Sequence, residues 1–293
     1  MKNFKKIGIY VVIFCISSLV QSQEKELQNI KAQYPTVLGK GGHGEIRADG
    51  ADKNTVIKLS TQADRQCSEY KKEFDAQSAI YKTFDSFDNP VGLKQRATIL
   101  KPIEYEQHKD FCFYKMERLK PFPNEQLLYQ LYLGKEDHDK VIAGRGHYIG
   151  IKQLQEKLND PTGKKLDQLI YDFGWLMGII QLAAKFDALD FELVLSKVDD
   201  KAGYKMAIID FDQMSSIADY FKGFDEKNIK PLVEKTEWVW MNEPYVPMPS
   251  GNYFKFFENG YLSVAKRLDT KNNTAFYTKV GVAIIEHFKE EME

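Results

Sequence analysis

The sequence predicts an α+β chain of two lobes, a small antiparallel sheet plus helix followed by a mainly helical part. Three observations predict it. The glycine-rich turn Gly39-Lys40-Gly41-Gly42-His43-Gly44 joins two strand-like stretches, and the hairpin signal Asp49-Gly50 then leads into the β-branched run Thr55-Val56-Ile57-Lys58-Leu59. Residues from about Ala63 to Phe84 carry Tyr70, Phe74, Ile80, Tyr81 and Phe84 on a broadly helical period. Leu166, Leu169, Ile170, Phe173, Leu176, Met177 and Ile180 recur at three- and four-residue steps, the stripe of a helix with a buried face.

The chain opens with Lys2, Lys5 and Lys6, an apolar run from Ile7 to Val20, and Gln21-Ser22-Gln23. A basic segment, an apolar segment short for a bilayer span and a small-residue cleavage region make residues 1–22 an expected secretory signal peptide. Phe14 before Cys15 argues against lipoprotein processing. The expected mature protein is secreted, periplasmic or held in the secretory pathway, starts with a linker over 23–33, and engages no membrane after cleavage. A formal charge of -1, mildly more acidic once the signal lysines go, gives no nucleic-acid-binding footprint. Cys67 and Cys112 remain after cleavage: enough for one disulfide, too few for a disulfide scaffold, with unpaired buried thiols the expectation. The five histidines sit at no ligand spacing from another His or Cys, so no zinc site is expected.

Similar glycine spacing opens dinucleotide-binding folds, which need a helix directly after the turn. Glu45-Ile46-Arg47-Ala48 ends at Asp49-Gly50 and leaves no room for one, so the glycines bridge two strands. Such a turn aims backbone N–H groups at a nucleotide's phosphates, and Lys58 adds an ammonium. With Ile46 after the turn, the segment resembles the nucleotide lid of protein kinases. The resemblance implies Gly39, Gly41 and Gly44 over the phosphates of ATP, Ile46 against the adenine, and Lys58 at the α- and β-phosphates. It also implies an acidic residue on the next helix to hold Lys58. Glu73 fills that place, with Glu69 one turn earlier in reserve.

Thr98-Ile99-Leu100 and the run from Phe111 to Met116 read as a pair of strands. Glu117-Arg118-Leu119-Lys120-Pro121 then looks like the linker between kinase lobes. Met116 would be the gatekeeper, and Glu117 and Leu119 would offer main-chain atoms to the adenine edge. The expected lobes are 34–119 and 120–293. From Pro121 to Lys165 the chain reads as loop with short helical pieces. Asp172-Phe173-Gly174 spells the kinase metal-binding triplet but falls inside the apolar stripe, so it reads as core packing. Beyond that helix, Asp187 and Glu192 stand five positions apart before an apolar strand. A hairpin turns at Asp199 to Gly203, and its second strand, Met206 to Ile209, delivers Asp210-Phe211-Asp212. The resemblance implies Asp187 at an acceptor hydroxyl, with Glu192 and Asp210 as ligands of Mg2+ or Mn2+. The aromatic-rich tail from Pro231 onward is expected to close the second lobe's core.

From Tyr34 to about Asp212 the chain thus resembles the protein-kinase-like superfamily. The stretches 145–150, 184–195, 209–213 and 242–249 are also similar to a mainly fungal domain family of unknown function, often labelled zinc-finger proteins. Three departures from ordinary kinases stand out. Glu192 replaces an asparagine, Lys185-Phe186 replaces the His-Arg that would receive an activation-loop phosphate, and Asp212 replaces a glycine with no Ala-Pro-Glu segment after it. The resemblance implies a kinase-like fold and a nucleotide cleft; with the expected signal peptide and the retained Lys58, Asp187 and Asp210, the leading expectation is an exported, ATP-dependent phosphotransferase acting on a hydroxyl of a protein, sugar or lipid. The rivals are a secreted pseudokinase, which binds nucleotide or a protein partner and transfers nothing, and a secreted module with no nucleotide site.

Overall fold

A computed structural model describes residues 25–41, 44–60, 67–108, 111–121, 128–142, 146–198 and 203–292. The expected signal peptide, the turn residues Gly42 and His43, Arg145 and the hairpin residues 199–202 lie outside them. The fold is mixed α+β, with two sheets and many helices. The chain divides into two units: the described residues of Met1–Tyr70 with Ile103–Arg118, and Lys71–Pro102 with Leu119–Glu293.

The first unit opens with a helix over 25–33, α1. Its sheet runs in the order β1 (Thr36–Gly41), β2 (Gly44–Ala48), β3 (Thr55–Leu59), β6 (Cys112–Glu117), β5 (Pro102–Gln107). The three-strand start follows from the glycine turn and Asp49-Gly50, each joining antiparallel neighbours. Every residue of β3 is buried, as expected of a β-branched strand in mid-sheet. Tyr34, Ile57, Leu59, Phe111 and Phe113 form one core cluster, with Leu27 and Ile30 packed on it. Gly44 has φ +147, and a Cβ there would lie 2.2 Å from the Tyr70 hydroxyl and 2.4 Å from the Leu59 carbonyl. Only glycine fits that position. Cys67 and Cys112 form a disulfide, correcting the expectation of free thiols. Burial alone cannot distinguish the two states, because a half-cystine and a thiol are equally apolar.

Helix α2 (Cys67–Ser86) starts in the first unit and continues in the second. The strand β4 (Ala97–Ile99) corrects a second expectation: it pairs not with β6 but in parallel with β11 (Tyr204–Ile209). All three of its residues are buried although it stands at the edge of its sheet, so its apolar sequence says nothing of its neighbour. The neighbour of β6 on the far side from β3 is β5, whose Pro-Ile-Glu-Tyr-Glu-Gln is partly exposed and charged, as suits an edge strand.

In the second unit the sheet order is β4, β11, β10 (Glu192–Lys197), β7 (Tyr129–Leu131), β9 (Gly146–Ile149), β8 (Asp139–Ile142). Three of these strands occupy the stretch expected to be loop. At three or four residues each they are too short for an alternating pattern to register. Helix α3 (Leu93–Arg96) precedes β4, and after β9 come α4 (Ile151–Lys157) and α5 (Lys164–Gly178), the last extended by a π-helical turn over Ile179–Ala183. Helices α6 (Ile229–Asn242), α7 (Phe254–Asn272) and α8 (Phe276–Met292) complete it. Helix α5 carries the apolar stripe and packs closely on α7. The Asp172-Phe173-Gly174 triplet lies in this helix. Asp172 is fully buried and held by Arg96 Nε at 2.7 Å and Nη2 at 3.0 Å. Burial pushes its carboxyl up, and Arg96 counters that shift. Phe173 packs on Phe257, and Gly174 faces the Phe257 backbone.

Candidate functional site

In the first unit, the antiparallel register places Gly39 opposite Ile46, Gly41 opposite Gly44, and Ile46 opposite Lys58. Lys58 is 9% exposed, flanked by β2 and by Tyr114 of β6. The glycines differ in what they do. Gly44 is demanded by close packing, whereas a Cβ on Gly39 would meet nothing within 4 Å, so its bare backbone faces open space. Within the hairpin, Glu45 takes an ion pair from Lys40 at 3.0 Å and another from Arg47 at 2.6 Å. Burial opposes ionisation of Glu45, yet Lys40 and Arg47 hold its carboxyl below the usual range. Met116 and Glu117 end β6. In the second unit, Glu73 lies on α2 and is 1% exposed, and Leu119 stands two residues past the end of β6.

The remaining candidates meet at one end of the β10–β11 hairpin, all within the second unit. Glu192 opens β10 and is paired with Ile209, the residue before Asp210. The loop before β10 and the loop after β11 are stitched together. Asp187 N–H donates to the Ser215 carbonyl at 3.0 Å and Ile217 N–H to the Lys185 carbonyl at 2.8 Å, with Phe186 bridging Ser216. Gln213 Nε2 donates to Asp190 Oδ2 at 2.6 Å. Four non-glycine residues here are left-handed: Lys185, Ala188, Asp190 and Asp210, with φ between 58 and 64. Each such residue costs on the order of 1 kcal/mol, less for aspartate, and persists only where the surroundings impose it. At Asp210 the kink ends the ladder and separates its carboxylate from the strand's alternation.

Asp187 has no exposed surface. Its Oδ1 accepts the N–H of Ser215 at 2.9 Å and of Leu189 at 3.2 Å, and its Oδ2 faces Lys235 Nζ at 3.4 Å. The carboxylate is therefore engaged in joining the two loops. Gln181, in the π-helical turn, donates to the Asp187 carbonyl at 3.2 Å and accepts from Trp240 Nε1 at 3.2 Å, tying the loop to α6.

Several residues that sequence reasoning passed over belong to this end. Gln130 of β7 donates to Glu192 Oε2 at 3.0 Å. Glu243, just past α6, accepts the backbone N–H of Asp190. Its carboxyl is pushed up to about 7, by burial first and then by the negative charge of Asp190, with Glu192 adding to it. Tyr132, Tyr148 and Tyr245 pack beside them, Tyr148 tilted against Tyr132 with ring centroids 5.2 Å apart and Tyr245 edge-on to it at 5.5 Å. Burial, then the charge of Glu192, keeps the Tyr245 phenol protonated. Glu243 and Tyr245 lie in the 242–249 stretch singled out above, so that signal existed; Gln130 lies where only loop was legible.

Among the described residues no group of three or more His, Cys, Asp or Glu could hold a metal ion, and no helix is long and apolar enough to cross a membrane. The first observation leaves room for Mg2+, which binds through one or two carboxylates together with substrate phosphates and so needs no three-residue protein cage. Asp210 and Glu192 are hard oxygen donors of that kind.

No family model matches the chain, and no curated protein matches it. The likeness to a mainly fungal family therefore rests on the quoted stretches alone. Among solved structures, the chain is similar to a crystal structure described as a kinase domain, at 11% identity and a TM-score of 0.36, over 78% of this chain. The match spans 61% of that kinase domain's length.

Proposed function

We propose that the chain is an exported, two-lobed kinase-like phosphotransferase that moves the γ-phosphate of ATP to a hydroxyl acceptor. The observation that carries this reading is the meeting of Asp187, Glu192 and Asp210 at one end of the β10–β11 hairpin, with left-handed backbone at Asp210. Gly39, Gly41 and Gly44 cover the phosphates, Ile46 packs on the adenine, and Lys58 neutralises phosphate charge with Glu73 as its orienting partner. Met116, Glu117 and Leu119 line the adenine edge. Asp210 and Glu192 would hold Mg2+ or Mn2+, which when bound offsets charge on the transferring phosphoryl group. Catalysis is then mostly positioning and charge neutralisation. Asp187 acts chiefly by orientation, because two backbone N–H groups already occupy one of its oxygens and a loose transition state asks little base strength. The Cys67–Cys112 disulfide supports export, since such bonds persist in oxidising compartments.

The second reading, a pseudokinase, is favoured by one observation: the Asp187 carboxylate is wholly buried beside Lys235. Two measurements separate the readings. A nucleotide binder gains about 2.7 kcal/mol at a hundredfold excess of Mg·ATP over Kd, a rise of roughly 5 °C or more in Tm. Label from γ-labelled ATP should then pass to acceptor or to the protein itself with wild type, and not with Asp210→Ala. Stabilisation without transfer establishes the pseudokinase. No stabilisation at millimolar Mg·ATP removes the nucleotide site altogether.

A further inference from the structure

Gln130 lies in the middle of β7 and is 5% exposed. The ladder explains why it meets Glu192: Gln130 pairs with Val194 of β10, and Glu192 sits two residues away on the same face of that strand. Gln130 Nε2 donates to Glu192 Oε2 at 3.0 Å. An ionised carboxylate only accepts, so the amide nitrogen must face Glu192 and the amide oxygen must point elsewhere. That oxygen, Oε1, is buried and has no hydrogen-bond partner among the described residues. Burying an unmatched amide oxygen is costly, and a methionine of the same length would fill the position without that cost. The bond to Glu192 accounts for the amide nitrogen, and packing gives no reason for the oxygen. The chemistry of the neighbour does: a carboxylate that ligates a cation is itself hydrogen-bonded, and hard cations take amide oxygens readily.

Building on the phosphotransferase reading, we propose that Gln130 is a positioning residue of the cation-binding end of the site, orienting Glu192 through Nε2 and presenting Oε1 to the hydrated divalent cation. The site then gathers donors from two neighbouring strands and the Asp210 loop. Gln130 serves both as a splint for a ligand and as a neutral oxygen beside it. Loss of a supporting residue of this kind weakens metal affinity about 10- to 100-fold.

The test is calorimetric titration of MnCl2 into the full chain, with Tm followed in parallel in EDTA. Gln130→Met should weaken Mn2+ binding at least about tenfold while the metal-free Tm holds or rises. A merely structural glutamine would show the reverse, a lower Tm at unchanged affinity, which would overturn the inference and leave the phosphotransferase reading standing. If Gln130→Met does not fold, Gln130→Glu decides. A second carboxylate beside Glu192 should lower Tm in EDTA and tighten Mn2+ binding, and unchanged affinity rejects the proposal. Wild type that binds no Mn2+, with or without ATP, removes both the cation reading and this one.

Discussion

Glu243 holds its proton at a pH where a surface glutamate has lost it, because burial and the neighbouring charges of Asp190 and Glu192 penalise the anion. The linkage follows in sign. The folded pKa, about 7, lies above a glutamate's ordinary 4.5, so the folded state binds the proton more tightly. The stabilisation is complete below about 4.5 and is lost as pH climbs to about 7. Glu243→Gln keeps an acceptor for the Asp190 N–H and removes the charge. Melting curves should show the variant more stable than wild type at pH 8, by about 1 kcal/mol after allowance for solvent screening, with no difference at pH 4.5. A constant gap across the range would show that Glu243 ionises normally. The fully buried Asp187 differs: its Oδ1 accepts from Ser215 and Leu189, its Oδ2 meets Lys235 as an ion pair without a hydrogen bond, and this environment gives it a holding role that residue type alone does not specify.

The crossing of α5 and α7 is built on glycines. A Cβ on Gly174 would lie 2.0 Å from the Phe257 carbonyl, and one on Gly260 would lie 2.1 Å from the Tyr171 carbonyl. Alanine is the better helix former by about 1 kcal/mol, so propensity alone predicts that Gly174→Ala stabilises. Packing predicts the opposite, because neither backbone can retreat. Urea unfolding of Gly174→Ala should show a net loss of about 2–3 kcal/mol, and a gain would mean that the helices sit farther apart than the structure shows. At the end of α7, Asp269 caps the next helix with both oxygens, accepting the Tyr277 and Thr278 N–H groups at 2.8 Å each. Helices with a full apolar stripe were legible because their period extends over many residues, as α5 shows. Strands β7, β8 and β9 were not, because three or four residues hold no period to read.

The whole molecule is unequal in its two units. The first, the smaller, buries one cluster of Tyr34, Ile57, Leu59, Phe111 and Phe113 and carries the Cys67–Cys112 cross-link over a separation of 45 residues. Such a cross-link stabilises mainly by restricting the unfolded chain. Reduction should cost the first unit about 2–4 kcal/mol. Hydrogen exchange after reduction should show β2, β3 and β6 losing protection first while α5 and α7 keep theirs, and uniform loss would mean that the units unfold together. The sequence by itself determined the local elements: the glycine hairpin, the Lys58 strand, the α2 and α5 helices, and the order of Asp187, Glu192 and Asp210 about a hairpin. It could do so because turn chemistry and apolar periodicity act over a few residues. Only the tertiary structure decided that β4 leaves β6 for β11, that the two cysteines pair, that Asp187 is closed off, and that Gln130 and Glu243 join Glu192. Those outcomes depend on which distant segments come to lie side by side, and a strand or a lone polar residue carries no local mark of its eventual neighbour.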